Sequence, residues 1–200
     1  MKNILLVISG PAGSGKNTVS ERLMAEFPSV RRVVTSTSRP PRGSEKDGVD
    51  YHFLSKDDFE RGIAAGDFYE YAKVHDRYYG TSKRAINDAG DADLILIIDV
   101  QGAATWREIA RTHSEIGDRL TTVFIAPDSE TELRKRLAGR ATETQEEIDR
   151  RMKTAADEMK QADKFDKRIL SKSKDEDYQA LRDIYLSLKT GDGVPLGGLP

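Results

Sequence analysis

A glycine-rich segment that directly follows an apolar run constrains the fold of this chain more than any other feature. Residues 10–16 read G-P-A-G-S-G-K, and residues 4–8 before them are all aliphatic. Glycines let the backbone turn so that successive N–H groups face one concavity, and a following helix adds the positive end of its dipole. The pattern predicts a strand, a phosphate-binding loop and a helix, with Lys16 as a mobile charge for phosphates.

The end of this motif departs from its usual form. Asn17 stands where a serine or threonine would bind magnesium, and Thr18 comes one residue later. A magnesium ion on a phosphate chain takes few protein ligands and keeps several waters. The sequence therefore does not decide whether Asn17 or Thr18 is the metal ligand, and either residue would act largely through water.

The composition excludes several classes of protein. The 200 residues include 32 basic and 34 acidic side chains, and the net charge of −2 argues against binding to nucleic acid or to a membrane surface. The chain has no cysteine, so disulfides and thiolate metal sites are excluded. No apolar stretch approaches the roughly 20 residues of a membrane span. We expect a globular, cytoplasmic protein whose oligomeric state the sequence leaves open.

Apolar runs typical of buried strands alternate with helical patterns along most of the chain. The runs cover residues 4–9, 33–37, 94–98 and 120–125, with a weaker one at 169–170. The helical patterns cover residues 16–26, 103–111, 130–138, 146–162 and 175–188. Continuous apolar runs suit strands that are covered on both faces. Their alternation with helices predicts an α/β fold with a parallel β-sheet flanked by helices.

Three segments interrupt this alternation. Residues 38–90 are rich in arginine, glycine, aspartate and tyrosine, with short strands expected at 51–54 and 68–74, which indicates an inserted α+β subdomain. Residues 134–151 are dense in arginine, and residues 189–200 are rich in glycine and proline. We expect one domain over 1–188, with a core of 1–34, 91–127 and 163–188, an inserted subdomain of 35–90, a helical lid of 128–162, and a flexible tail of 189–200.

Five further fragments carry a resemblance to a known family. In order, they are T-S-T-S-R-P-P-R-G at 35–43, D-G-V-D-Y-H-F at 47–53, F-Y-E-Y at 68–71, Y-Y-G-T at 78–81 and I-D-V-Q-G at 98–102. With the phosphate-binding loop, residues 3–188 resemble a guanylate kinase. The resemblance implies a P-loop kinase fold in which residues 35–90 bind GMP. It implies transfer of the γ-phosphoryl group of ATP to GMP, with Mg²⁺ as the cofactor of ATP and dGMP as a further candidate acceptor.

The resemblance assigns a second set of residues to GMP. Arginines match those that grip its phosphate, and paired guanidinium N–H groups suit a phosphate dianion. Glu70 matches the carboxylate that reads guanine, whose N1–H and N2–H are adjacent donors, whereas adenine has a bare acceptor at N1. The residues implied to bind GMP are Thr35, Arg39, Arg42, Tyr51, Glu70, Tyr79, Thr81 and Asp99.

The resemblance also assigns the ATP site and the catalytic charges. A phosphoryl group in transfer carries spread negative charge, which lysine and arginine side chains stabilise. The residues implied to bind ATP are Gly10, Pro11, Ala12, Gly13, Ser14, Gly15, Lys16, Asn17 and Thr18. The residues implied to be catalytic are Lys16, Arg39, Arg136, Arg140 and Arg151.

Two positions beyond the loop depart from the family pattern, and two other functions stay open. Ile97 stands where an acidic residue is usual, and Ser171 stands where a strand-end asparagine is common. One alternative is a P-loop kinase with another phosphorylated acceptor, such as a ribose bisphosphate kinase, which would not need Glu70. The other is a guanylate-kinase-like binding module without catalysis, although such modules typically lack an intact phosphate-binding loop.

Overall fold

A computed structural model of the chain describes residues 3–138 and 144–191. The strands in these ranges are β1 (Leu5–Ser9), β2 (Val30–Arg32), β3 (Ser36–Thr37), β4 (His52–Phe53), β5 (Phe68–Val74), β6 (Arg77–Ser82), β7 (Asp93–Ile97), β8 (Leu120–Pro127) and β9 (Lys167–Ser171). The α-helices are α1 (Lys16–Glu26), α2 (Lys56–Ala65), α3 (Lys83–Asn87), α4 (Val100–Thr112), α5 (Ser114–Gly117), α6 (Glu130–Ala138), α7 (Gln145–Met159) and α8 (Lys174–Thr190).

The main sheet has five parallel strands in the order β2-β7-β1-β8-β9. β1 lies at its centre, with Val7 opposite Leu96 of β7 and opposite Thr122 of β8. All five residues of β1 are buried, as expected for a strand covered on both faces. The α/β fold with a parallel sheet flanked by helices is therefore confirmed.

Alternate residues of β1 enter two different apolar cores. Leu5 and Val7 pack with α4 on one face, where Trp106 is the largest side chain. Leu6 and Ile8 pack with α1 and α8 on the other face. This packing fixes both the end of β1 and the start of α1, so the glycine-rich loop between them is held by two buried elements.

A second sheet lies in the inserted segment, with the order β4-β3-β6-β5. The sequence predicted one strand over 33–37, and this prediction is wrong, because the chain changes sheets there. β2 ends at Arg32, the N–H of buried Val33 still donates to Ile95 O of the core at 2.8 Å, and β3 then pairs with β6. Residues 33–37 are all apolar or hydroxyl-bearing, a pattern typical of one strand. The pattern does not indicate which sheet each residue joins.

Helix α2 was not expected from the sequence. Its start is capped by Ser55, whose side chain accepts from the N–H of Asp58, and it ends at Gly66 in the left-handed conformation. Phe59 is its single buried residue, and its ring stacks on Phe68 and Tyr78 at 4.4 and 5.2 Å between centroids. The second sheet thus has an aromatic core of its own, built on one helical side chain.

Helices α6 and α7 form a small layer with its own apolar cluster. Leu133 and Leu137 of α6 pack against Ile148 and Ala155 of α7. Helix α8 continues to Thr190, two residues beyond the limit expected for the domain, and residues 192–200 of the expected tail lie outside the described residues. Among residues 3–138 and 144–191, we find no helix with the length and apolar character needed to cross a membrane.

Candidate active site

The glycine-rich loop takes the conformation that its sequence predicts. Gly10, Gly13 and Gly15 have φ angles of 140°, 87° and 92°, which side-chain-bearing residues rarely adopt. At Gly10 there is also no room for a side chain, because a Cβ atom would lie 2.3 Å from the carbonyl oxygen of Ile125 in β8. Helix α1 begins at Lys16, whose Nζ donates to the carbonyls of Gly10 and Pro11 at 2.6 and 2.9 Å.

The layer formed by α6 and α7 covers one side of this loop. A Cβ atom on Gly13 would lie 3.4 Å from the side chains of Leu133 and Leu137, so α6 packs directly over the loop. Beside it a cavity of about 640 Å³ is lined by residues that include Gly15, Thr18 and Arg136. The volume lies within the range of nucleotide-sized ligand sites, and its floor is the N-terminus of a helix, which favours anions.

Arg136 faces this cavity from α6 and connects it to the end of β9. Its guanidinium donates to Ser171 Oγ at 2.9 Å, to the carbonyl of Lys172 at 3.2 Å and to Glu132 at 3.1 Å. Ser171 in turn donates to Asp177 of α8 at 2.6 Å. The serine that departs from the family pattern therefore links the lid arginine to the core.

The structure gives less information about the surroundings of the other two predicted lid arginines. Arg151 is half-buried on α7. Arg140 lies outside the described residues.

In the inserted segment, Arg39 is held in place by an acidic residue that the sequence analysis missed. Arg39 is 7% exposed, and its Nη1 and Nη2 donate to the two carboxylate oxygens of Glu45 at 2.6 and 2.7 Å. Nη1 also donates to Pro40 O at 3.0 Å, and the guanidinium lies 4.9 Å from the Tyr51 ring centroid. Charge-assisted pairs of this geometry are among the stronger contacts in proteins.

The environment of Glu45 favours the ionised form that pairs with Arg39. The guanidinium of Arg39 and the backbone N–H of Arg42, which donates to Glu45 Oε2 at 2.7 Å, lower the pKa of Glu45 to about 2. One signal was present in the sequence, since an acidic residue follows the two arginines within six positions. Position alone, however, does not tell a partner from a solvated surface charge.

We expect Glu45→Gln to lower the melting temperature at pH 7, and we expect this deficit to shrink in acid. The folded-state pKa is depressed, so the carboxylate's contribution is present above about pH 4.5 and is lost as the pH falls toward 2. Thermal unfolding of both proteins from pH 7 to pH 3 measures this. A deficit that stayed constant over that range would show that the ionised pair is not its cause.

The predicted tyrosines gather around Arg39. The rings of Tyr51 and Tyr79 meet edge to face, with centroids 6.4 Å apart, and both side chains are half-buried. Arg42 is exposed at the same end of the segment. The structure thus brings Arg39, Tyr51 and Tyr79 into one cluster, with Arg42 adjacent to it through the backbone contact to Glu45.

The predicted guanine-reading carboxylate lies between the inserted segment and the core. Thr81, which is fully buried, donates through Oγ1 to Glu70 Oε1 at 2.6 Å. Burial raises the pKa of Glu70 and the negative charge of Asp99 adds to the effect, whereas the bond from Thr81 opposes it. Asp99 is exposed at the start of α4, which it caps by accepting from the N–H of Gly102 at 2.8 Å.

Two further predicted positions have clear structural settings. Thr35 is half-buried where the chain passes from the main sheet to the second one, and its carbonyl accepts from the N–H of His52 at 2.8 Å. Ile97 ends β7 and packs with the apolar cluster on the α1 side of the sheet. The acidic contact usual at this position of the family is therefore replaced here by apolar packing.

A carboxylate of α7, also missed from the sequence, is influenced by the charge of Lys16. Burial raises the pKa of Glu158 on α7, while the positive charge of Lys16 lowers it and the charge of Asp99 raises it. β1 and β7 are parallel neighbours, and the N–H of Ile98 donates to Ile8 O at 3.1 Å, so the chain leaves both strands toward α1 and α4 at the same edge of the sheet. The glycine-rich loop and Asp99 therefore both lie at the carboxyl end of the central strands, the usual ligand edge of such sheets.

The residues at the loop suit a magnesium ion that is held mainly by phosphate. Among residues 3–138 and 144–191 no group of three or more acidic or histidine side chains is arranged to hold a metal. Thr18 is half-buried and lines the cavity, whereas Asn17 is exposed. One hydroxyl beside a phosphate site fits Mg²⁺, which commonly binds substrate phosphates, water and few protein ligands.

Comparisons with known proteins agree with this geometry. The guanylate kinase family model matches residues 2–187. The guanylate kinase of Campylobacter jejuni (strain RM1221) is 38% identical over 192 residues, covering 94% of this chain and 91% of that protein. That of Hydrogenovibrio crunogenus is 41% identical over 189 residues, covering 94% of this chain and 89% of that protein.

Solved structures share the fold of this chain. The crystal structure of guanylate kinase from Anaplasma phagocytophilum matches with a TM-score of 0.71 and 27% identity, covering 98% of this chain and 90% of that one. TT1252 from Thermus thermophilus shares the fold at a TM-score of 0.56 and 16% identity, covering 94% of this chain and 98% of that one. The family model and the relatives lead to one assignment: the chain belongs to the guanylate kinase family.

Proposed function

We propose that this chain transfers the γ-phosphoryl group of ATP to GMP, producing ADP and GDP. The observation that carries the proposal is the presence in one chain of a phosphate-binding loop after β1 and, in the inserted segment, a buried carboxylate, Glu70, that accepts from Thr81. A loop with a helix N-terminus binds a nucleotide's phosphates, and a buried carboxylate selects a base with two adjacent donors. A cytoplasmic role in purine nucleotide metabolism is part of the same proposal, because both substrates are purine nucleotides.

The hydrogen bonds of Arg39 indicate how it would hold the GMP phosphate. Glu45 and Pro40 take both Nη1 hydrogens, and Glu45 takes one Nη2 hydrogen. Within the described part of the chain, Nε–H and the second Nη2–H have no acceptor. These two N–H groups form the side edge of the guanidinium, which can bind two phosphate oxygens at once. Glu45 thus orients Arg39, and the ring of Tyr51 lies beside it in contact with that of Tyr79, so that the two hydroxyls would complete the grip.

Positioning and charge neutralisation would account for most of the catalysis. Lys16 would contact the β- and γ-phosphates of ATP, and Arg136, which lines the cavity beside the start of α1, would face the charge that spreads during transfer. Arg140 and Arg151 belong to the same proposal as lid arginines. Magnesium, which guanylate kinases generally need with ATP, would neutralise phosphate charge beside Thr18. The apolar contacts of α6 over the loop exclude water, which would otherwise accept the phosphoryl group.

An acceptor survey tests this function against its rivals. ADP release from ATP is measured by a coupled assay with GMP, dGMP, AMP and ribose 1,5-bisphosphate as acceptors. Guanylate kinase activity requires rapid release with GMP and very slow release with AMP. Faster release with ribose 1,5-bisphosphate would support the other kinase, and no release with any acceptor would support the binding module.

Glu70→Gln should raise the free energy barrier for GMP use by about 2 kcal/mol or more. An amide offers one acceptor and one donor, so it cannot accept from both N1–H and N2–H of guanine. The measurement is kcat/KM for GMP at saturating ATP, with Glu60→Gln in the same inserted segment as a matched control. Equal values for Glu70→Gln and the wild type would remove Glu70 from guanine recognition.

A further inference from the structure

The chain's single tryptophan lies beside the guanine-reading carboxylate, and the chemistry described so far does not use its N–H group. Trp106 is fully buried on α4, and its ring packs on that of Tyr69 with centroids 5.6 Å apart. Among the residues that the structure describes, none accepts a hydrogen bond from its Nε1. A buried donor without an acceptor is unfavourable, and it calls for a specific explanation.

The surroundings of Glu70 supply that explanation. Glu70 follows Tyr69 in β5, and the pairing of β5 with β6 is irregular between Phe68 and Glu70, so the two side chains need not alternate between the faces of the sheet as they would in a regular strand. Burial is the largest influence on the pKa of Glu70 and raises it, as does the charge of Asp99, whereas Thr81 and the indole N–H of Trp106 lower it. The indole N–H therefore favours the ionised form of Glu70, although the two groups form no hydrogen bond in the described structure. Such bonds often tighten only when the substrate is bound.

The lone pairs of the carboxylate limit the number of its partners. An ionised carboxylate has about four acceptor positions. The hydroxyl of Thr81 occupies one of them at Oε1, and the N1–H and N2–H groups of guanine would occupy two more. Two N–H groups lower the pKa of Glu70 and could fill the remaining position, the backbone N–H of Thr81 and the indole N–H of Trp106, and the indole is a buried donor without an acceptor among the described residues.

We propose that Trp106 is a positioning residue for guanine recognition, whose indole N–H donates the remaining hydrogen bond to Glu70 when GMP is bound. This inference rests on the proposed function, since it needs Glu70 to read guanine. Held by Thr81 from β6 and by Trp106 from α4, the carboxylate cannot rotate, and it stays ionised despite its burial. Support from such neighbouring donors is what keeps a binding group in its productive orientation.

Nuclear magnetic resonance of the wild-type protein tests the bond directly. One tryptophan gives one indole ¹H–¹⁵N resonance, so no assignment is needed. Saturating GMP should move this resonance downfield and slow its exchange with solvent, whereas ATP alone should leave it in place. In Glu70→Gln the downfield movement should disappear.

Kinetics of Trp106→Phe provide a second readout. The substitution keeps an aromatic ring but removes the N–H, so KM for GMP should rise about tenfold while kcat changes less than about threefold. Because Glu70 would lose one donor while Asp99 still repels its charge, the acid limb of kcat/KM for GMP should move to higher pH. Ile109→Ala, which removes apolar volume from the same helix and core cluster, should change neither the GMP KM nor the pH profile.

These results separate the inference from the function on which it rests. An indole resonance that does not move at saturating GMP, in a protein that phosphorylates GMP, would overturn the role of Trp106 and leave the kinase intact. So would a Trp106→Phe variant with the wild-type GMP KM and pH profile. If GMP neither binds nor is phosphorylated, the proposed function fails and this inference fails with it.

Discussion

Replacing Lys16 with alanine is expected to lower kcat about 10³-fold, which corresponds to about 4 kcal/mol of transition-state stabilisation. The ammonium lies at the mouth of the loop, where it donates to the carbonyls of Gly10 and Pro11. As the γ-phosphoryl group departs, negative charge grows on the β-phosphate oxygens, and a fixed positive charge there stabilises the transition state more than the ground state.

The experiment must separate this effect from damage to the loop. The Lys16→Ala variant is compared with Lys56→Ala, which removes an exposed lysine from α2 and should leave kcat unchanged. Circular dichroism and thermal unfolding check the fold of both. A folded Lys16→Ala protein that kept more than about a tenth of the wild-type kcat would refute the role of this lysine.

Arg39→Ala is expected to lower kcat/KM for GMP by about two to three powers of ten, while Arg39→Lys recovers only part of the loss. A lysine keeps the positive charge but cannot donate to Glu45 and to two phosphate oxygens in one plane. Removing Arg39 also leaves the carboxylate of Glu45 unpaired where the GMP phosphate arrives, so repulsion adds to the lost contact.

A double-mutant cycle distinguishes these two contributions. If Glu45 repels phosphate once Arg39 is absent, the double variant Arg39→Ala/Glu45→Gln should use GMP better than Arg39→Ala alone. The wild type, both single variants and the double variant are compared at saturating ATP. Additive effects would mean that Glu45 and Arg39 act independently, contrary to the bidentate pair in the structure.

Local patterns in the sequence were enough to predict the parts of the fold that short segments determine. Runs of fewer than twelve residues predict the glycine-rich loop, the buried strands β1 and β7, and helix α1. In these runs the residue types alone indicate the backbone conformation and the burial. The family resemblance then located Glu70, Arg39 and the tyrosines, and the structure places Glu70 against Thr81 and Tyr51 against Tyr79.

The features that were missed depend on contacts between distant segments. The change of sheet after Val33 depends on whether β7 or β6 offers the next hydrogen bonds, which residues 33–37 cannot specify. The sequence does not distinguish Glu45 from the other acidic residues, and only its contact with Arg39 in the structure does so. Glu158 is separated from Lys16 by more than a hundred residues, and Trp106 looks like any apolar residue of a helix until its N–H is found beside Glu70.

The central claim is that one cleft joins ATP to GMP for direct phosphoryl transfer, and ³¹P nuclear magnetic resonance tests it most directly. The protein is mixed with ATP, Mg²⁺ and either GMP or AMP, and the spectra are followed with time. With GMP, the account predicts that the γ-phosphate signal of ATP disappears while the β-phosphate signals of GDP and ADP grow in equal amounts, and that AMP gives almost no change. Inorganic phosphate in place of GDP, or equal conversion of AMP, would contradict it.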